Sequence, residues 1–126
     1  MFDRLLREML DKTPGALGAT IMGYDGVPVA CLTPKGKRSD QEIGDDLWEA
    51  ASIDLLLSIA EIQKATDRLD AGNVDQVTIQ TGAFTLLMRP LSEHYVLVLA
   101  LENEAWAGKG RYIMRVVGAE IRQELL

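Results

Sequence analysis

At 126 residues, the chain has the length of one domain and can bury a hydrophobic core without disulfides or metal ions. Its balance of 48% apolar and 25% charged residues is that of a globular protein and argues against intrinsic disorder. The formal net charge of −6 argues against nonspecific nucleic-acid binding and against docking on anionic membranes, because both need clustered Lys and Arg. We therefore expect a single domain over residues 1–126.

The first third of the chain predicts a helix followed by a β-hairpin. Residues 2–12 have the apolar spacing of one helical face. Residues 16–24 form a short apolar run that is typical of a buried strand. Asp25-Gly26 is a hairpin turn signal, since both residues tolerate positive φ, and residues 27–32 form the return strand. Pro28 lacks an N–H, so the return strand is expected at a sheet edge or with an irregular start.

A long helix is predicted in the middle of the chain. Residues 33–38 form a polar loop with a proline and a glycine, and Ser39 or Asp40 can cap the helix that follows. The helix runs to about residue 69 or 70, where Gly72-Asn73 ends it. It is the longest element of the chain.

Three strands and a last helix are predicted after it. The strands cover residues 74–81, 84–91 and 95–101, and the helix runs from about Ala105 or Lys109 to Leu126. The predicted order is α-β-β-α-β-β-β-α. Hairpin-length connections favour antiparallel pairing, so we expect an α+β fold in which a five-stranded, mostly antiparallel sheet lies between the long second helix and the two terminal helices.

The long helix carries more apolar side chains than one sheet can cover. On a helical wheel, one stripe is assigned to the sheet: Leu47, Trp48, Ala51, Leu55, Ile59, Ile62 and Leu69. A second seam has the spacing i, i+3, i+4, i+7: Ile53, Leu56, Leu57 and Ala60. Each fully buried side chain of this kind contributes roughly 1.5–3 kcal/mol, so leaving the seam exposed would be costly.

Two coverings of the second seam are open at this point. A neighbouring element of the same domain can bury it, or the same helix of a second copy can do so about a two-fold axis. The strand at residues 74–81 is the other candidate dimer contact. If it lies at a sheet edge, the backbone around Val77 and Ile79 can pair with its own copy.

No catalytic, cofactor-binding or metal-binding constellation emerges from the sequence. His94 is the only histidine and falls in a predicted turn. Cys31 is the only cysteine, so no intrachain disulfide can form, and we interpret it as a small buried residue in a reduced compartment. Gly108-Lys109-Gly110-Arg111 lacks both the earlier glycine and the following Ser or Thr of a P-loop and is interpreted as a helix-start loop. Asp54, among apolar neighbours, is interpreted as an exposed or paired carboxylate.

The localisation expected from the sequence is cytoplasmic, without membrane insertion. No apolar run approaches the ~20 residues needed to span a bilayer. Charged residues within the first ten positions interrupt any signal-peptide core.

The hairpin residues from Gly18 to Ala30, Gly-Ala-Thr-Ile-Met-Gly-Tyr-Asp-Gly-Val-Pro-Val-Ala, resemble the first hairpin of the roadblock/dynein light chain family. Met22-Gly-Tyr-Asp-Gly26 is similar to the bacterial MglB type, which regulates a Ras-like GTPase in gliding motility and cell polarity. The resemblance continues through the long helix and the three strands to Gly110-Arg111-Tyr112, and so covers nearly the whole chain.

The resemblance implies a non-enzymatic homodimer on which a Ras-like small GTPase docks at the long-helix face. In the MglB type the dimer accelerates GTP hydrolysis by reorganising the GTPase's own catalytic residues, so the chemistry would lie in the partner. The charged ends of the long helix supply four candidate partner contacts: Asp46, Glu49, Lys64 and Arg68.

Two other functions remain as hypotheses. The chain can be a pure scaffold of polarity, motility or signalling proteins that affects no nucleotide cycle, because the fold alone does not imply stimulation of hydrolysis. It can also be an enzyme or a small-ligand sensor, for which a pocket with several convergent polar groups would be required.

Overall fold

The computed structural model describes residues 2–32 and 45–125, except for the side chains of residues 28, 45–49 and 52. The elements follow in the predicted order. They are α1 (Asp3–Lys12), β1 (Ala16–Gly23), β2 (Pro28–Leu32), α2 (Asp45–Arg68), β3 (Val77–Gln80), β4 (Thr85–Pro90), β5 (Tyr95–Leu101) and α3 (Ala107–Leu125). The predicted polar loop at 33–38 and the capping residues Ser39 and Asp40 lie outside the described residues.

The five strands form one antiparallel sheet in the order β2-β1-β5-β4-β3. β5 lies at its centre, where Val98 is opposite Thr20 of β1 and Met88 of β4. β2 and β3 are the two edges, so the edge position expected for β2 is confirmed and the condition set for pairing of β3 with its own copy is met. Pro28 is the first residue of an edge strand, a position that tolerates a missing N–H.

Helices α1 and α3 cover one face of the sheet with a large, fully buried core. α1 contributes Leu5, Leu6 and Met9, none of which is exposed. The close approach of α3 depends on Gly110, because a Cβ placed there would lie 2.9 Å from Cδ1 of Leu87. The other members come from the sheet, from α3 and from the ends of α1: Phe2, Leu10, Ala16, Ala19, Ile21, Leu91, Leu97, Leu99, Leu101, Ala107, Ile113, Met114, Val117 and Ile121.

Helix α2 covers the other face more thinly. Among the described side chains of α2, only Leu56 and Ile59 are buried, and Leu55 is partly buried. The sheet supplies the remaining buried side chains of this face, which form two small clusters: Met22, Met88, Val96 and Val98 in one, and Leu17, Leu86 and Ala100 in the other.

The loop that leaves α2 is held by Gln63. Its side-chain Nε2 donates to Oδ1 of Asp67 at 2.8 Å and to the carbonyl of Gly72 at 3.3 Å. Its Oε1 accepts the backbone N–H of Val74 at 2.9 Å. The N–H of Val74 is therefore bonded to the helix instead of to the sheet. β3 begins at Val77, and the prediction that it begins at Val74 is wrong.

Candidate interaction surface

The four residues of the predicted second seam do not share one environment. Leu56 is only 3% exposed and packs with the sheet residues of the chain's own core, so its assignment to an exposed dimer seam is wrong. Ile53 and Leu57 are 46% and 61% exposed, and Ala60 is also exposed. These three residues are called the hairpin-side patch below.

The hairpin-side patch lies against the turn between β1 and β2. A Cβ placed on Gly26 would lie 2.8 Å from Cγ1 of Ile53, so this side chain packs directly on the turn. Gly26 has φ +87°, a conformation that favours glycine. Oδ1 of Asp25 accepts the N–H of Val27 at 3.0 Å, which rigidifies the turn. The Asp-Gly signal in the sequence thus positions one edge of the apolar patch.

The apolar surface continues onto β2. Val27 is 60% exposed and Val29 is 45% exposed. Ala30 and Leu32 pack against the α1/α3 core, so strand alternation places Val29 on the opposite face, with α2. Sequence reasoning missed these two valines; their signal was an apolar run in a strand predicted at the sheet edge.

The other side of α2 also exposes apolar residues. Leu55 packs into the cluster that Ile79 of β3 joins, so this side of the helix faces the β3 edge. At about 100° per residue, Ile62 and Leu69 follow Leu55 along the same side. Ile62 is 40% exposed and Leu69 is 77% exposed, whereas both were expected under the sheet. Leu55, Ile62 and Leu69 are called the edge-side stripe below.

The wrong assignment of Ile62 and Leu69 to the buried face has a physical reason. The inner face of α2 continues past Ile59 with Gln63 and Thr66, which are partly buried although they are polar. Both are hydrogen-bonded, Gln63 to the exit loop and Thr66 to the carbonyl of Gln63 at 3.0 Å. A helical wheel that considers only apolar residues therefore places the predicted buried face of α2 too close to Ile62 and Leu69.

The predicted charged contacts lie at the two ends of α2. The side chains of Asp46 and Glu49 lie outside the described residues. Lys64 and Arg68 follow Ala60 at intervals of four residues and continue the hairpin-side patch with positive charge. Nζ of Lys64 lies 3.1 Å from Oε1 of Glu61, an exposed pair that leaves the lysine accessible.

The β3 edge offers backbone hydrogen-bonding groups. The N–H of Thr81 donates to the carbonyl of Phe84 at 2.9 Å and closes the β3–β4 hairpin. Antiparallel pairing alternates, so the backbone groups of Thr78 and Gln80 face away from β4 toward the open edge. The side chains of the predicted contact residues Val77 and Ile79 are partly buried on the α2 face.

The structure gathers no acid–base or metal site in the part of the chain that it describes. No cluster of three or more His, Cys, Asp or Glu there could hold a metal ion. His94 and Asp54 are exposed. Cys31 is exposed as well, so the expectation of a buried cysteine is wrong. Residues 108–111 lie in the first turns of α3 rather than in a loop.

The perturbed titratable groups are scattered. On α1 the hydrogen bond from Lys12 to Glu8, at 2.8 Å, lowers the pKa of the Glu8 carboxyl and raises the pKa of Lys12. Burial raises the pKa of the Tyr24 phenol, which packs beside the α2 core. These groups belong to different elements, so they do not mark one catalytic centre.

The described part of the chain, residues 2–32 and 45–125, contains no helix long and apolar enough to cross a membrane. The accessible features of the α2 face are therefore apolar patches, flanking charges and an open strand edge. These are features of a surface that binds proteins.

Comparison with known proteins identifies structures that share this fold. No family model and no curated protein matches the sequence. Among solved structures, MglC from Myxococcus xanthus shares 29% identity over 98% of both chains, with a TM-score of 0.68.

Two further solved structures superpose more closely at lower identity. A Roadblock/LC7 domain from Streptomyces avermitilis has a TM-score of 0.80 at 18% identity, over 98% of this chain and 96% of that one. An MglB with a tetrameric arrangement has a TM-score of 0.81 at 21% identity, over 98% of this chain and 88% of that one. The chain therefore has the roadblock fold of the MglB and MglC structures.

Proposed function

We propose that this chain is a non-enzymatic, homodimeric regulator or adaptor that binds a Ras-like small GTPase. The observation that supports this proposal is the exposure of apolar side chains on both sides of α2, beside an open β3 edge. A surface of this kind is stabilised by contact with protein, and two sides can serve two different partners.

The homodimer contact is assigned to β3 and the edge-side stripe. Pairing β3 with its own copy satisfies the outward backbone groups of Thr78 and Gln80 and extends the sheet across a two-fold axis. The side of α2 that faces β3 then meets its copy, so Ile62 and Leu69 become buried. The assembly of the similar MglB structure as a tetramer supports self-association as a property of this fold.

The GTPase contact is assigned to the hairpin-side patch. Ile53, Leu57 and Ala60 lie on the side of α2 that faces away from β3, and Val27 extends the apolar area. Lys64 and Arg68 supply positive charge beside it. Such a combination of an apolar centre and a charged rim is typical of a protein–protein interface. Any effect on GTP hydrolysis would arise through the catalytic residues of the GTPase itself.

Two substitutions separate the two assigned contacts. Ile62→Asp should give monomer in light scattering, because it places a carboxylate in the dimer contact. Leu57→Asp should leave the dimer intact. Val116→Asp, at an exposed apolar position on α3, is the matched control and should also remain dimeric. If Leu57→Asp is monomeric and Ile62→Asp is not, the assignment of the two sides is reversed; two intact dimers would exclude α2 from the interface.

The GTPase partner is tested with the Ras-like GTPase encoded closest to this chain's gene. We expect a complex in size-exclusion chromatography that Leu57→Asp weakens at least about tenfold, as is typical when an apolar interface anchor is lost. Timing phosphate release with and without the chain then measures any stimulation of hydrolysis. Complex formation without a rate change would support an adaptor. A failure to bind in either nucleotide state would contradict the GTPase proposal and favour a scaffold of other polarity or motility proteins.

The cellular setting is proposed from the same resemblance: a cytoplasmic protein of bacterial polarity or gliding motility, recruited to a pole by its partners. Imaging a fluorescent fusion in the native cell tests it. Uniform distribution that is unaffected by loss of the GTPase would contradict recruitment.

A further inference from the structure

An open cleft on the α3 face is lined by three arginines. It has a volume of about 420 Å³ and lies between α3 and the segment that enters β3. Its lining residues are Gln76, Arg89, Gly108, Arg111, Tyr112 and Arg115. The cleft is on the opposite side of the sheet from α2, so it is separate from both contacts of the proposed function.

The charge of this cleft is opposite to that of the molecule. The chain carries 19 acidic residues against 13 Lys and Arg, yet three of its arginines share one cavity. Among the residues that the structure describes, no Asp or Glu side chain lines the cleft. Like charges repel when they are held together, so an anion that binds among the three arginines lowers the free energy of the site.

The arginines keep most of their donors available. Nη1 of Arg89 donates to the carbonyl of Asp75 at 3.4 Å, which uses one of its five N–H groups. The guanidinium of Arg115 lies over the Tyr112 ring, with Cζ 5.5 Å from the ring centre. This cation–π contact holds the charge of Arg115 beside the ring that lines the cleft. Guanidinium donors match the oxygens of phosphate in pairs.

Gln76 supplies a second, independent observation. Its Nε2 is buried and has no hydrogen-bond acceptor, one of two such orphaned side-chain atoms in the described part of the chain. An unpaired buried donor is costly. Turning this amide toward an anion in the cleft would therefore break no existing hydrogen bond of Nε2 and would satisfy it.

We propose that this cleft is a binding site for a small ligand that carries a phosphate group. The three arginines line the same open cleft, and its volume falls in the usual range of small-molecule sites, about 300–1,000 Å³. The exposed ring of Tyr112 forms one wall and leaves room for an organic group attached to the phosphate.

The test uses the full chain with inorganic phosphate, pyrophosphate and succinate as probes. Calorimetry should detect saturable binding of pyrophosphate, weaker binding of phosphate, and no binding of the dicarboxylate. In amide NMR spectra, pyrophosphate should shift the side-chain signal of Gln76. Comparable binding of succinate would overturn the preference for phosphate, and no saturable binding of pyrophosphate would overturn the site.

Variants of exposed arginines identify the cleft without disturbing the fold. Arg111→Ala and Arg115→Ala should each weaken pyrophosphate binding about tenfold or more, as loss of a charge-assisted hydrogen bond predicts. Arg111→Lys keeps the charge but loses the paired donors and should fall between wild type and Arg111→Ala. Arg4→Ala, at an exposed arginine on α1, is the matched control and should bind as wild type. Equal weakening by Arg4→Ala would show that only net charge matters and would overturn the site.

Discussion

The two faces of the sheet are covered in different ways. The α1/α3 face is closed by side chains from two helices, and glycine at position 110 lets α3 lie close to β4 and β5. Among the described residues, the α2 face is covered by one helix, whose described side chains include few buried ones and expose apolar groups on both sides of the helix. The first face stabilises the domain, whereas the second is free to make contacts outside it. The same sheet thus supports a closed core on one face and a candidate interaction surface on the other.

The largest expected effect distinguishes the cores of the two faces. Leu99 is fully buried under α3, so Leu99→Ala should lower the free energy of unfolding by about 3–5 kcal/mol through lost burial and a cavity. Leu56→Ala on the thin face should cost about 2–3 kcal/mol, because the loosely held helix can relax into the space. Urea unfolding of both variants measures the difference. An equal or larger loss for Leu56→Ala would show that α2 is packed as tightly as α3.

A smaller effect tests the close packing of α3. Gly110→Ala should destabilise the protein by about 1–3 kcal/mol, because its Cβ would lie 2.9 Å from Leu87 and 3.3 Å from Leu99. Gly108→Ala is the control two residues earlier, where a Cβ meets nothing within 4 Å. It should stabilise the helix by up to about 1 kcal/mol. Thermal unfolding compares the two; if both variants gain stability, α3 does not depend on glycine to reach the sheet.

Much of the fold could be predicted from local patterns. Alternating runs located the strands, and β5 has the predicted bounds because Tyr95–Leu101 is flanked by clear turn residues. The Asp-Gly signal located the first hairpin. The start of β3 could not be predicted, because it depends on a side chain 11 residues earlier, Gln63, that bonds Val74.

The candidate surface was harder to predict than the fold. The excess of apolar residues on the long helix predicted side chains that the sheet does not cover, and Ile53 and Leu57 are exposed, whereas Leu56 is buried. Its division into two sides depends on the rotation of α2, which the contacts of Ile53 with Gly26 and of Leu55 with the β3 side determine. The arginine cleft joins β4, α3 and the segment before β3. Gly108 and Arg111 belong to the segment that fails the P-loop pattern, but a single sequence gives no signal that Gln76 and Arg89 lie beside them.

The smallest expected effect is a pH dependence confined to the α2 face. Burial raises the pKa of Tyr24, so the folded state holds the phenol proton more tightly than the unfolded state does. The corresponding stability is fully present below the unfolded pKa of about 10 and is lost as pH rises through the higher folded pKa. The loss should be small, because the ring is only partly buried.

The Tyr24→Phe variant isolates this dependence. The difference in unfolding free energy between wild type and Tyr24→Phe should stay constant from about pH 7 to 9 and shift against wild type above about pH 10. Tyr112→Phe removes an exposed phenol from the α3 side and is the control for loss of a hydroxyl group.

A second arm of the experiment uses Ile62→Asp, which should be monomeric if the proposed dimer forms. If the wild-type dimer covers part of the α2 core, the loss of stability at high pH should be smaller in the monomer, because the pKa of a more hydrated Tyr24 lies closer to its unfolded value. Coincident pH profiles for monomer and dimer would show that the dimer interface does not affect the burial of Tyr24. The α2 face near Tyr24 would then be covered within one subunit.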